Sequence, residues 1–185
     1  QVGSSPKELA LAMVQRELEL GKAPGFYREA DEPAATYERA LDQSPAAQAY
    51  KNLYDDLWGA QALRAIPRAY QFATTLEAPS AKRALGHAGI DAWFTGYLAS
   101  FPDAQFTCDH LIERNDPGLP TRVAMRWTVK ATHSGFGQFG QPTGAPIHLM
   151  GISHAEFFNG EIIREWILLD ELAIWKQIHG HQLTA

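Results

Sequence analysis

Apolar positions recur along this chain with two periods, helical up to about residue 101 and strand-like beyond it. Residues 7–20, KELALAMVQRELEL, are strong helix formers with Leu9, Met13 and Leu20 on roughly one stripe and a stop at Gly21, which predicts a helix. Gly, Pro and mixed charge between Gly21 and Pro33 read as a linker before a short helix at about 34–42. Ser44-Pro45 supplies a cap and a first-turn proline for a helix over Ala46–Trp58. A short helix follows over about 60–69, broken at Pro67. Another runs from about 88 to 100, where Trp93, Tyr97 and Phe101 recur at helical spacing before Pro102 ends it. Residues 104–114, 121–133, 146–158 and 161–175 are dense in β-branched and aromatic residues with turn formers between them, which predicts an antiparallel meander. Helices first and strands afterwards specify an α+β fold, with Gly135–Pro146 as a long hairpin loop.

The faces of the last hairpin depend on the turn at Phe158-Asn159-Gly160, because side chains alternate across a sheet. A two-residue loop would set Leu149 opposite Asp170 and His154 opposite Glu165. A three-residue loop, with Gly160 left-handed in a bulge, would set His148 opposite Asp170 and His154 opposite Arg164. We adopt the second register. It gathers His148, Met150, Ile152, His154 and Glu156 with Ile162, Arg164, Trp166, Leu168 and Asp170 on one wall, as a pocket with a few placed polar groups requires. Leu149, Gly151, Ser153, Ala155 and Phe157 with Ile163, Glu165, Ile167 and Leu169 then pack against another layer.

Composition narrows the partners. The 185 residues suit one domain plus an extension, and 45% hydrophobic with 20% charged residues is ordinary for a globular chain. A net charge of −5 without a run of Lys or Arg gives no footprint for nucleic acid or anionic lipid. No apolar run approaches the roughly 20 residues of a membrane helix, and the single cysteine makes no internal disulfide, so a cytoplasmic location is the expectation. Gln1 in place of Met leaves room for a trimmed leader.

Several short motifs occur in a fixed order: Phe101-Pro102-Asp103, Thr132-His133-Ser134-Gly135, Pro142-Thr143-Gly144, Asn159-Gly160-Glu161-Ile162, and Glu165-Trp166 with Asp170-Glu171-Leu172. In these the chain resembles the SnoaL-like polyketide cyclases of the NTF2-like superfamily. The resemblance extends less sharply back to about Ala46, through Tyr50-Lys51-Asn52-Leu53-Tyr54. It implies a curved antiparallel sheet packed against about three helices around a cone-shaped cavity, over residues 46–183, with 1–45 as a helical extension. It also implies a homodimer paired through the outer sheet surface, and aldol cyclisation or isomerisation of a small hydrophobic carbonyl compound by an acid and a histidine, without metal or cofactor.

Asp170 is the candidate general acid or base, on the expectation that Trp166 and Leu168 desolvate it. Its structural alternative is a cap or salt bridge at the end of the last strand. His154 would polarise a carbonyl or shuttle the proton, with His148 beside Asp170, although either could be a hydrogen-bonded wall residue. Trp127, Trp166 and Met150 would line the cavity, while aromatic strand residues also serve as plain core. His133 is expected to order the loop that closes one end. The spacing of His148 and His154 does not specify a metal site. Cys108, next to Asp109, is expected to be buried and unreactive. Gly135, Gly137, Gly140 and Gly144 do not open a helix and form no phosphate loop. The competing functions are a non-catalytic small-molecule-binding module and an epoxide-hydrolase-like enzyme whose carboxylate activates water.

Overall fold

The structure, a computed structural model, describes residues 5–22 and 41–184. Helix α1 (Pro6–Glu19) opens on a reciprocal cap. Ser5 Oγ accepts from the Glu8 amide at 3.3 Å, and Glu8 Oε2 accepts from the Ser5 amide at 2.9 Å. Its buried residues are Ala10 and Val14, whereas Leu9, Met13 and Leu20, the apolar stripe, are exposed. Small side chains let α1 lie close against the last helix, α5 (Glu171–Thr184), where Lys176 pairs with Glu17 at 2.5 Å. The expected helix at about 34–42 lies outside the described residues up to position 40; Leu41 bridges to Leu111.

Helix α2 (Pro45–Tyr54) begins where expected, with first-turn Pro45, but Ser44 does not cap it. The Ser44 hydroxyl donates to Asp42 at 2.5 Å, and Glu113 from the sheet accepts the Ala47 amide at 3.0 Å instead. The helix passes into a π turn over Asp55–Gly59, then a 3₁₀ turn (Leu63–Ala65) and the single-turn helix α3 (Ile66–Ala69), which carries Pro67 in its first turn and is not broken by it. Helix α4 spans Gly86–Leu98.

Six strands, β1 (Tyr70–Ala78), β2 (Lys82–Leu85), β3 (Gln105–Arg114), β4 (Thr121–Thr132), β5 (Pro146–Phe158) and β6 (Glu161–Leu169), form one curved sheet in the order β2-β1-β6-β5-β4-β3. β3 to β6 are the expected antiparallel meander. The expectation omitted β1 and β2, and β1 pairs parallel with β6, so the sheet is mixed. Residues 171–175, expected to continue the last strand, begin α5 instead. No helix among the described residues is long and apolar enough to cross a membrane.

The last hairpin follows neither expected register. Asn159 (φ 52°) and Gly160 (φ 83°) close a two-residue turn, with Phe158 opposite Glu161. Ile163 is then an extra residue on β6. Beyond it His154 lies opposite Trp166, and Ile152 opposite Leu168. The bulge restores the facial grouping of the adopted register from Arg164 onward, but that wall is the outer one, and Ile162, which precedes the bulge, is buried with Phe157 on the opposite face instead of joining it. The apolar set Leu149, Gly151, Ser153, Ala155, Phe157, Glu165, Ile167 and Leu169 is what meets the helices. Turning His148, Glu156, Arg164 and Asp170 into the core would take several polar and charged groups out of water, so the sheet presents its greasier side inward.

Candidate active site in the cone

A polar cluster lies on the concave face. Glu165, fully buried on β6, accepts three phenolic hydrogen bonds: from Tyr50 at 2.5 Å and Tyr54 at 2.8 Å on Oε1, and from Tyr70 at 2.6 Å on Oε2. Tyr50 and Tyr54 stand one helical turn apart on α2, so both phenols point at the same strand, while Tyr70 opens β1 opposite Ile162. Ser153 Oγ lies 2.7 Å from the Tyr54 hydroxyl and accepts from Trp127 Nε1 at 2.8 Å. The donors therefore run in one direction. Trp127 donates to Ser153, Ser153 to Tyr54, and Tyr54 to Glu165, the terminal acceptor.

Burial raises the proton affinity of Glu165 and the three phenols pull it back, leaving the pKa above the ordinary 4.5. Tyr50, Tyr54 and Tyr70 are pushed well above 10 by burial and then by the Glu165 charge, so the phenols keep their protons. No basic side chain pairs with Glu165 among the described residues. This arrangement can bind or release a proton inside an apolar shell, with phenols ready to donate to a second oxyanion.

Asp170 is exposed and its Oδ1 accepts from the Ala173 amide at 2.9 Å, capping α5. The burial its proposed chemistry requires is absent; the strand ends at Leu169, and a carboxylate one residue later meets an open helix terminus. His154 stacks on Trp166 at 5.3 Å on the outer face, and Arg164 lies over the same indole. The structure does bring Met150, Leu168 and Asp170 together, with Arg126, Gly151, Ile152 and Leu169, around an open groove of about 410 Å³, on the side away from the helices. His148 is held by its backbone: Gln177 accepts its amide at 2.7 Å and donates to its carbonyl at 3.0 Å, standing in for β6 where that strand has ended. Trp127 alone of the expected residues lies in the cone, fully buried.

His133 organises its loop as expected. Its carbonyl accepts from Thr143 and Gly144, its amide donates to Ala145, and Nδ1 meets Thr143 Oγ1 at 2.9 Å. Cys108 is buried, and burial pushes its thiol up to about 11. Among the described residues no three His, Cys, Asp or Glu side chains converge as a metal set. The sequence reading missed Glu165, Ser153 and the tyrosines. Their signals were a single acid on an otherwise apolar strand face and two tyrosines four residues apart on one helix.

The chain matches the family described as SnoaL-like polyketide cyclase over residues 48–178, a span that excludes α1. No curated protein matches it. Among solved structures, a protein assigned as a SnoaL-like polyketide cyclase from Jannaschia sp. CCS1 superposes with a TM-score of 0.66 at 15% identity, covering 77% of this chain and 97% of its own. One assigned as a polyketide cyclase from Acidithiobacillus ferrooxidans gives 0.64 at 22% identity, covering 77% and 98%. AclR from Streptomyces galilaeus, assigned as a hydroxylase, gives 0.63 at 20%, covering 75% and 87%. At these identities the superpositions establish the NTF2-like fold, and with the match over most of its length the chain belongs to the SnoaL-like polyketide cyclase family.

Proposed function

We propose that this protein catalyses cofactor-independent proton transfer, aldol cyclisation or isomerisation, on a small hydrophobic carbonyl compound, with Glu165 as the proton acceptor. The supporting observation is a fully buried carboxylate whose partners among the described residues are three phenols. In the resting state all three donors serve Glu165. Once Glu165 takes a proton from carbon beside a carbonyl, one of its acceptor sites is lost, and a released phenol can donate to the developing enolate oxygen.

A cleft of about 220 Å³ between α2, α3 and the last hairpin, lined by Leu53, Arg68, Phe157 and Ile162 among others, offers an approach. Phe157 also packs edge-on against Tyr50 at 5.9 Å, which puts the cleft's lining in contact with the cluster. Hydrogen–deuterium exchange at the α-carbon of hydrophobic diketones, followed by NMR, tests the reading. Exchange should be catalysed by the wild type and lost in Glu165→Gln; exchange that survives the substitution removes the assignment.

A second reading, a binding or scaffold module without turnover, is favoured by the filling of the cone with the chain's own rings, Tyr54, Trp58, Phe94 and Trp127. The outer face we assign to pairing with a second copy. Met150, Ile152 and Leu168 are 59%, 52% and 63% exposed there, and His154, Trp166 and Asp170 would lie at the seam.

A further inference from the structure

Ser153 carries a buried hydroxyl to which the proton-transfer reading gives no part. It lies on the inward face of β5 between Gly151 and Ala155 and is fully buried. Trp127 Nε1 donates to its Oγ at 2.8 Å, and the Tyr54 hydroxyl lies 2.7 Å from the same atom. The indole has a proton to give and no lone pair to offer, and Tyr54 spends its single proton on Glu165 Oε1 at 2.8 Å. The serine proton is therefore left for the Tyr54 oxygen. A hydroxyl feeds that phenol from behind while its own proton goes to the carboxylate.

Three neighbouring positions build this contact. Trp127 pairs across the sheet with Gly151, and the missing side chain there leaves room for the indole to reach Ser153. Alanine at 153 and phenylalanine at 127 would cover the same face with no polar atom to satisfy, so packing alone does not call for the pair. A donor on the Tyr54 oxygen polarises its O–H, and hydrogen bonds in series inside a dry interior strengthen one another. Burial and the Glu165 charge push the Tyr54 phenol up, whereas the Ser153 bond pulls it down, toward a stronger donor.

We propose that Trp127 and Ser153 are positioning residues for Glu165, acting through Tyr54: they fix the direction of the hydrogen bonds and strengthen the one that Tyr54 donates to the carboxylate. Their role rests on the reading of Glu165 as the proton acceptor and adds what tunes it. A stronger donor on Oε1 stabilises the ionised carboxylate, the form that can take a proton from carbon. Loss of the relay shifts the balance toward the protonated form, which cannot.

An NMR titration of the wild type reads the relay without any substitution. The Glu165 carboxyl carbon gives the midpoint, and the Trp127 indole N–H resonance, joined to it through Ser153 and Tyr54, should move with that same midpoint. Tyr54→Phe should abolish the indole movement, while Tyr70→Phe, which removes a donor to Glu165 outside the relay, should keep it. Ser153→Ala should raise the Glu165 midpoint by about 0.3 pH unit, and Ser153→Thr should bring it back. In a Tyr54→Phe background, Ser153→Ala should leave the midpoint where it was. An indole that stays still in the wild type, a movement that survives Tyr54→Phe, or a Ser153→Ala midpoint equal to that of the wild type overturns the relay. Coupling of this kind in a protein that exchanges no α-hydrogen leaves the relay standing and removes the proton-transfer reading.

Discussion

Gly151 on β5 faces Trp127 on β4, and the indole lies where a side chain on Gly151 would stand: an added Cβ would be 2.1 Å from Trp127 Cζ2. The missing side chain is what lets the indole cross β5 and reach Ser153 Oγ. Gly151→Ala must therefore move a rigid ring in a packed core. It is expected to lower stability by about 1–3 kcal/mol in urea denaturation and to change the tryptophan near-UV circular dichroism. Wild-type stability and spectrum in that variant would show that the core yields there.

Glu165 titrates with a defined sign. Its folded pKa lies above 4.5, so the folded state holds the proton more tightly than the unfolded chain. That contribution is fully present below about pH 4.5 and is lost as pH rises through the higher folded value. The stability of the wild type relative to Glu165→Gln should accordingly fall as pH rises from about 4.5 and then level off. A flat difference would mean that burial does not control this carboxylate.

The tyrosines extend the same linkage to alkaline pH. Tyr50, Tyr54 and Tyr70 have folded values well above 10, so the stability they hold is present below pH 10 and lost above it as the unfolded phenols ionise. Tyr70→Phe removes one donor to a buried carboxylate and is expected to cost about 1.5–3 kcal/mol at neutral pH. Spectroscopic titration of phenolate absorbance should show these phenols silent until unfolding.

Asp170→Ala tests the helix cap against the chemistry. Loss of the 2.9 Å bond to the Ala173 amide should lower stability by about 0.5–2 kcal/mol, while α-carbon exchange continues at the wild-type rate. A variant that is stable but inactive would return Asp170 to the reaction.

Leu168→Arg places a charge in the middle of the exposed apolar strip on the outer face, beside Met150 and Ile152. Sedimentation equilibrium should find the wild type dimeric and this variant monomeric. A wild type that stays monomeric at high concentration removes the pairing.

Much of the meander was legible because strand content is local: β-branched and aromatic density marked β3, β4 and β5 close to their observed ends. β1 was not. Between Tyr70 and Thr75 its pairing with β6 shifts register, and its buried positions do not alternate, so the period-two signal is scrambled. The end of β6 was also hidden, since apolar residues resume at Leu172 after Asp170-Glu171, and the capping bond is what shows that the chain turns into α5 there.

The sequence by itself determined the family, helices α1, α2 and α4, strands β3 to β5, and the residues that share each face of the last hairpin from Arg164 onward. Only the tertiary structure decided which set looks inward. In a strand the faces differ by a single residue, so the Ile163 bulge fixes how the sets align. The cost of burying His148, Arg164 and Asp170, against the gain from burying Leu149, Ile167 and Leu169, then selects the side. The acid exchanged between the two readings, from Asp170 to Glu165, follows that selection, because the phenols of Tyr50, Tyr54 and Tyr70 lie across the concave face, where they can hold a desolvated carboxylate.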